Sequence, residues 1–190
     1  MLYLASKSPR RRELLMQLGV AFEIVDVDVP EVRGKDESPC AYVERVARAK
    51  AQAGLKVVGA HDPDAVVLGA DTEVVLDDRV FGKPQRNEDA TEMLCALSGR
   101  THRVVSVVCC AVGSSEKIAM CESSVTFAEL DDRAIERHVA TGEPFDKAGG
   151  YAIQARAAAF VTHLSGSYSG VMGLPLFETA QLLRGVGVVV

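Results

Sequence analysis

The chain has 190 residues, of which 48% are hydrophobic, 25% charged and 5% aromatic, with 21 Lys and Arg against 26 Asp and Glu for a net charge of −5. That length and balance fit one domain spanning residues 1–190, large enough for two lobes, and they exclude wholesale disorder. The acidic excess excludes a broad basic surface for gripping nucleic acid, yet Lys7, Arg10, Arg11 and Arg12 crowd together, a local charge suited to something small and anionic.

Leu2–Ala5 reads as a short buried strand. Its charges follow rather than precede the apolar run, so it is no secretory leader, and no stretch approaches the ~20 apolar residues of a membrane span. A cytoplasmic protein without membrane contact is expected. Ser8 is a good helix cap, Pro9 suits the first helical position, and Leu14, Leu15 and Leu18 follow at helical spacing before Gly19. Phe22–Val27 is a strand candidate. Ser38-Pro39 repeats the cap-then-proline start, with Tyr42, Val43, Val46, Ala49 and Ala53 forming one apolar helix face.

Ala65–Ala70 is a continuous apolar run, hence a central strand covered on both faces. Val74–Leu76 and Arg79–Phe81 flank Asp77-Asp78 as a tight hairpin. Asn87 caps a helix through Leu97, ended by Gly99. Val104–Val112 and Ile118–Phe127 are long strands joined at Gly113-Ser-Ser115. Asp131 opens a helix to about Thr141, Gly142–Gly150 is a loop, Ala158–Leu164 a strand, Pro175–Leu183 a helix, and residues 185–190 a short tail. Helix-joined and hairpin-joined strands together predict an α/β fold with a mixed β-sheet flanked by helices.

Five cysteines without a Cys-x-x-Cys pair argue against a disulfide framework or a zinc site and for reduced core thiols. Cys109 and Cys110, adjacent in a strand, would point to opposite faces.

Three segments could carry chemistry. A strand feeding Ser6-Lys-Ser8 and then an arginine-bearing helix start is a phosphate-binding arrangement, since free N–H groups and the helix dipole attract anions. The same residues also suit a plain capped surface helix. Asp71, placed just past the Val66–Ala70 run, could coordinate Mg²⁺, take a proton from water, or simply form a turn. Thr72 and Lys83 stand close by in sequence. The stretch Gly142–Gln154, with Asp146-Lys147 among glycines, is either a phosphate and metal loop or a surface salt pair. Together these are parts for metal-assisted attack on a polyphosphate.

Leu4-Ala-Ser-Lys-Ser-Pro-Arg-Arg-Arg-Glu-Leu-Leu15, Gly69-Ala-Asp-Thr72, Gly82-Lys-Pro84, Leu97-Ser-Gly-Arg-Thr-His102, Glu143-Pro-Phe-Asp-Lys-Ala-Gly-Gly-Tyr151 and Gly166-Ser-Tyr-Ser-Gly-Val-Met-Gly-Leu-Pro-Leu176 occur in one order along the chain. In this set the sequence resembles the Maf proteins, nucleoside triphosphate pyrophosphatases also called septum formation proteins. The resemblance implies two lobes about a central cleft, as in inosine triphosphate pyrophosphatases. It also implies divalent-metal-dependent hydrolysis of a nucleoside triphosphate to the monophosphate and pyrophosphate. Clearance of non-standard nucleotides, a link to cell-division arrest and homodimerisation are implied by the resemblance alone.

By the same resemblance Asp71 is the proton acceptor, while Arg10, Thr72 and Gln154 bear on substrate choice. Asp146–Gln154 and Ser167-Tyr168 resemble the branch acting on dTTP and UTP. The alternatives are 7-methyl-GTP, modified pyrimidine triphosphates, or a nucleotide-sensing division regulator with vestigial hydrolysis. The expected mechanism puts Mg²⁺ or Mn²⁺ between the triphosphate and Asp71, with Glu31 as a second acidic ligand. Arg10, Arg11, Lys50, Lys83 and Lys147 neutralise the phosphates, Ser6 and Ser8 cradle them, and Thr72 and Gln154 read the pyrimidine. Three residues depart from the pattern: Lys7 where glycine is usual, Glu73 where an apolar residue is usual, and Ala155 where glycine is common.

Overall fold

The computed structural model describes residues 1–190. Its strands are β1 (Leu2–Ala5), β2 (Glu23–Ile24), β3 (Val66–Leu76), β4 (Arg79–Phe81), β5 (Thr101–Val112), β6 (Ser115–Phe127) and β7 (Val161–Ser165). The helices are α1 (Pro9–Met16), α2 (Pro39–Val58), α3 (Asn87–Leu97), α4 (Asp132–Val139), α5 (Tyr168–Met172) and α6 (Leu176–Arg184). The strands form one mixed sheet in the order β2-β1-β3-β5-β6-β7, with β4 also on β3. The expected α/β class with flanking helices is what the chain adopts, and no helix is long and apolar enough to cross a membrane.

The sheet is forked along β3. β1 pairs with it in parallel from Leu2 opposite Val66 to Ala5 opposite Gly69. β4 pairs antiparallel with the same edge, but from Val74 onward. The other edge of β3 is paired with β5 from Val66 to Val75. Ala70–Glu73 therefore keep a strand neighbour on one side only, and their other edge opens into a cleft.

Alternation along β3 sends Asp71, Glu73 and Val75 toward α2 and Leu68, Ala70, Thr72 and Val74 toward the opposite face. On the α2 side, Val75 packs with Val43, Val46, Ala47 and Ala51. On the other, Leu68 and Ala70 pack with Leu14, Leu15 and Leu183 at one end, while Val74 joins Leu94, Phe127 and Tyr151 at the other. α2 approaches the sheet closely because Gly69 carries no side chain. A Cβ there would lie 2.4 Å from both the Ala47 carbonyl oxygen and the Ala51 nitrogen.

Several elements differ from the sequence expectation. β2 is only Glu23–Ile24, not Phe22–Val27, because β1 offers partners to those two residues alone. The strand predicted to end at Ala70 continues to Leu76, so Asp71 lies mid-strand and not past its end; β5 supplies the ladder that carries it through. The helix predicted from an Asn87 cap has Arg86 at the cap position, with the Asp89 carboxylate accepting from the Arg86 N–H at 3.0 Å. Ala158–Phe160 belong to a 3₁₀ helix, Arg156–Phe160, held by Glu143, which accepts from the N–H groups of Arg156 and Ala157; the strand is Val161–Ser165. α5 was not foreseen: Ser167 caps it by accepting from Gly170 N.

On α2 the buried face is centred on Val43, Val46, Ala47, Lys50, Ala51 and Gly54, with Ala49 and Ala53 at its flank. The tail residues Val186, Val188 and Val190 pack against the core. Cys109 and Cys110 face opposite clusters, as strand alternation requires, and all five cysteines are free.

His102 is buried between Phe127 and Tyr151, with Nε2 2.7 Å from the Tyr151 hydroxyl and Nδ1 without a partner. Burial pushes its pKa down to about 4. Between about 6.5 and about 4 the unfolded chain therefore takes up a proton that the folded chain refuses, so stability falls as pH falls through that window. Urea unfolding from pH 7 to 4.5 should show a wild-type slope steeper than that of His102→Phe by up to about 1.4 kcal/mol per pH unit. Equal slopes would refute the assignment. Gly69→Ala should cost about 1–3 kcal/mol by the same measurement, because helix backbone must yield.

Candidate active site

A cleft of about 650 Å³ opens at the fork, and every residue given a site role from the sequence lines it. The β1–α1 turn forms one wall. Ser8 caps α1 by accepting from Arg11 N, and its own N–H donates to Ser6 Oγ at 3.2 Å. The turn is thus held with the N-terminus of α1 at the cleft, the position where a helix favours an anion.

The basic cluster divides by direction. Arg11 Nε donates to the Gly173 carbonyl at 2.8 Å, Nη2 to Thr72 Oγ1 at 3.3 Å and Nη1 to Ser6 Oγ at 3.5 Å. It clamps β1, β3 and the turn after α5 together. Arg10 crosses the cleft instead, donating to the Asp146 carbonyl at 3.1 Å. Burial lowers the pKa of both guanidinium groups. Arg12 is exposed, and Lys7 pairs with Asp26 at 3.1 Å in solvent, a contact worth little.

Thr72 faces away from Asp71 across the sheet, and its hydroxyl lies 2.7 Å from Ser106 Oγ as well as beside Arg11. Ser106 in turn donates to the Gly170 carbonyl at 2.7 Å. Thr72 therefore positions Arg11 from within the fold while lining the cleft.

On the α2 side lies a charge cluster. Lys50 Nζ sits 2.8 Å from Asp71 Oδ1 and 2.6 Å from Glu31 Oε1, while Lys83 Nζ reaches Glu31 Oε2 at 3.2 Å. Burial raises the Glu31 pKa, but the two lysines together bring it below the usual carboxylate range. Asp71 Oδ2 and Glu73 Oε2 are buried without hydrogen-bond partners. Burial, then the charges of Asp71 and Glu31, push the Glu73 pKa up to about 8.

The opposite wall is the loop predicted around Gly142–Gly150. Lys147 Nζ donates to the carbonyls of Glu143 and Phe145 at 2.6 and 3.2 Å, and burial followed by nearby Arg10 lowers its pKa. Asp146 adopts a left-handed φ of 71°, which turns its carbonyl to Arg10. Gln154 stands exposed at the rim. The Tyr151 hydroxyl bond to His102 anchors this loop to the core.

Sequence reading marked Glu73 only as a departure and did not single out Ser106 or Gly173. Glu73 had a visible signal, an acid directly before the apolar run Val74–Leu76 and in a position where an apolar residue is usual. Ser106 had none, since its role comes from which residues β5 places opposite Thr72.

Arg11→Met should lower stability in urea unfolding by about 1.5–3 kcal/mol, since the Gly173 carbonyl and two hydroxyls lose a charged donor. Arg11→Lys should recover less than half, because an ammonium cannot reproduce the three-way fork. Full recovery by lysine would refute the clamp.

A family profile described as Maf-like protein matches residues 1–186. A dTTP/UTP pyrophosphatase of Xanthomonas oryzae pv. oryzae is 60% identical over 189 residues, 98% of this chain and 99% of that one. A nucleoside triphosphate pyrophosphatase of Xylella fastidiosa is 56% identical over 185 residues, 96% of this chain and 97% of that one. Among solved structures, the Ham1 protein of Staphylococcus aureus aligns with a TM-score of 0.47 at 16% identity over 67% of this chain and 72% of that one. With its ordered motifs gathered around one cleft and the family profile spanning nearly its whole length, the chain belongs to the Maf family.

Proposed function

We propose that this chain hydrolyses nucleoside triphosphates, dTTP and UTP above others, to the monophosphate and pyrophosphate. The observation that carries the proposal is the cleft itself. It sets a buried carboxylate oxygen, Asp71 Oδ2, against a helix N-terminus and a group of cations. The pyrimidine preference rests on the near-full-length relatives named dTTP/UTP pyrophosphatase.

Asp71 is the acceptor for the proton of water attacking the α-phosphorus, with pyrophosphate as leaving group. Its Oδ1 is held by Lys50, which fixes the carboxylate and leaves Oδ2 for that proton. Arg10, Lys83 and Lys147 lie where charge develops on the phosphates, Ser6 and Ser8 shape the turn that cradles them, and Arg11 holds that turn to β3. Gln154 at the rim reads the base, with Thr72 acting behind Arg11.

Mg²⁺ or Mn²⁺ is the cofactor of this reading. The residues expected to hold it are Asp71 and Glu31. Asp71 fits through its unpartnered Oδ2, whereas Glu31 joins only by giving up a lysine, since each of its oxygens is on one. When bound, the ion neutralises phosphate charge and orients the triphosphate.

Pyrophosphate release should be measured across dTTP, UTP, 7-methyl-GTP and modified pyrimidine triphosphates, with and without Mg²⁺ or Mn²⁺. The expected result is metal-dependent release, fastest with dTTP or UTP. Asp71→Asn should lose about 10²–10⁴-fold in turnover with its circular dichroism unchanged. Tight nucleotide binding without release would overturn the proposal in favour of a sensor, and near-wild-type turnover by Asp71→Asn would overturn the role of Asp71.

A further inference from the structure

Glu73 is an acid in the middle of a central strand, 8% exposed, with Oε2 unpartnered and its side chain lining the cleft. A carboxylate placed so, with no donor in the protein, carries an uncompensated desolvation cost. That cost calls for a partner from outside the chain, and the available volume lies in the cleft.

The oxygens around it narrow what that partner is. Asp71 has committed Oδ1 to Lys50, and its one remaining oxygen is the proton acceptor of the proposed reaction. Glu31 has committed Oε1 to Lys50 and Oε2 to Lys83. Of the three carboxylates that line the cleft beside Lys50, Glu73 alone has a free oxygen and no other duty. Asp71 and Glu73 project from the same face of β3 two residues apart, a span of about 7 Å along the strand.

No three acidic, histidine or cysteine side chains converge here closely enough to enclose an ion. A ligand set of one or two carboxylates is what the chain offers, and that suits Mg²⁺ or Mn²⁺ when triphosphate oxygens and water complete the shell. We infer that Glu73 is the principal carboxylate ligand of the divalent cation. Asp71 Oδ2 is thereby left to the attacking water, and Glu31 serves as the counter-ion that holds Lys50 and Lys83 in place. This inference rests on the proposed metal-dependent reaction and replaces the expected Asp71 and Glu31 with Glu73 as the principal ligand, since Asp71 Oδ2 serves the water and both Glu31 oxygens serve lysines.

The test is Mn²⁺ affinity, read from the free-Mn²⁺ paramagnetic resonance signal with the full-length protein, alone and with α,β-methylene-dTTP. Glu73→Gln and Glu31→Gln make the same isosteric carboxyl-to-amide change in the same cleft, so their difference separates coordination at one carboxyl from effects common to both. Glu73→Gln should weaken Mn²⁺ by about tenfold or more, and Glu31→Gln by less than about threefold. Glu73→Val should lose the same affinity while unfolding at an equal or higher temperature, because it removes a buried polar group that has no donor. Wild-type Mn²⁺ affinity in Glu73→Gln, an equal or larger loss in Glu31→Gln, or no Mn²⁺ bound by the wild type would each overturn the inference. Pyrophosphate release from dTTP by the wild type reads the underlying reaction separately. An active enzyme whose Mn²⁺ affinity ignores Glu73 would overturn this assignment alone.

Discussion

The approach of α2 onto β3 at Gly69 is the contact on which the cleft depends. With hydrogen in place of a side chain, the helix backbone at Ala47 and Ala51 rests directly on the strand. That closeness brings Lys50 down to Asp71, and Glu31 is drawn in by the same ammonium. Were the helix held off by one methyl group, the charged cluster would have to be rebuilt at a longer distance, where its pairings weaken.

The fork in the sheet is the second half of the same construction. β1 leaves the edge of β3 after Gly69, and β4 takes it up again at Val74. The strand between is rigid, because β5 pairs with all of it, yet one of its edges faces solvent-accessible space. Functional side chains on a paired strand are held more tightly than on a loop. Alternation then sorts them, with Asp71 and Glu73 entering the charge cluster beneath α2 and Thr72 joining Arg11 and Ser106 on the other side. Two chemically different walls of one cleft come from adjacent residues of one strand.

Buried charge is costly, and here it is retained where a hydrophobic substitute of similar size would often serve stability as well or better. Lys50, Asp71 and Glu73 are all nearly inaccessible, and two of their carboxylate oxygens have no partner. Such a cluster is understood as preorganisation, with dipoles and charges fixed before the substrate arrives so that little reorganisation is needed during reaction. The overall acidity of the chain is no obstacle, since a few aimed cations suffice for a small polyanion.

Much of this was legible in the residue order. The cap-then-proline starts of α1 and α2, the β3–β4 hairpin about Asp77-Asp78 and the long β5–β6 pair follow from short-range chemistry, and the motifs gathered at the cleft are local strings. Glu73 as a departure from the family pattern and Lys50 as a candidate phosphate cation were visible. Their partners were not, because a hydrogen bond such as Lys50 to Asp71 spans 21 positions and Arg11 to Gly173 spans 162. The length of β3 was decided by β5, the split of roles between Arg10 and Arg11 by which carbonyls stood across the cleft, and the free oxygen of Glu73 by two lysines choosing Glu31 and Asp71. Local sequence sets which groups are present and which backbone shapes are cheap. Only long-range packing sets which of those groups are satisfied by the protein and which are left for a ligand.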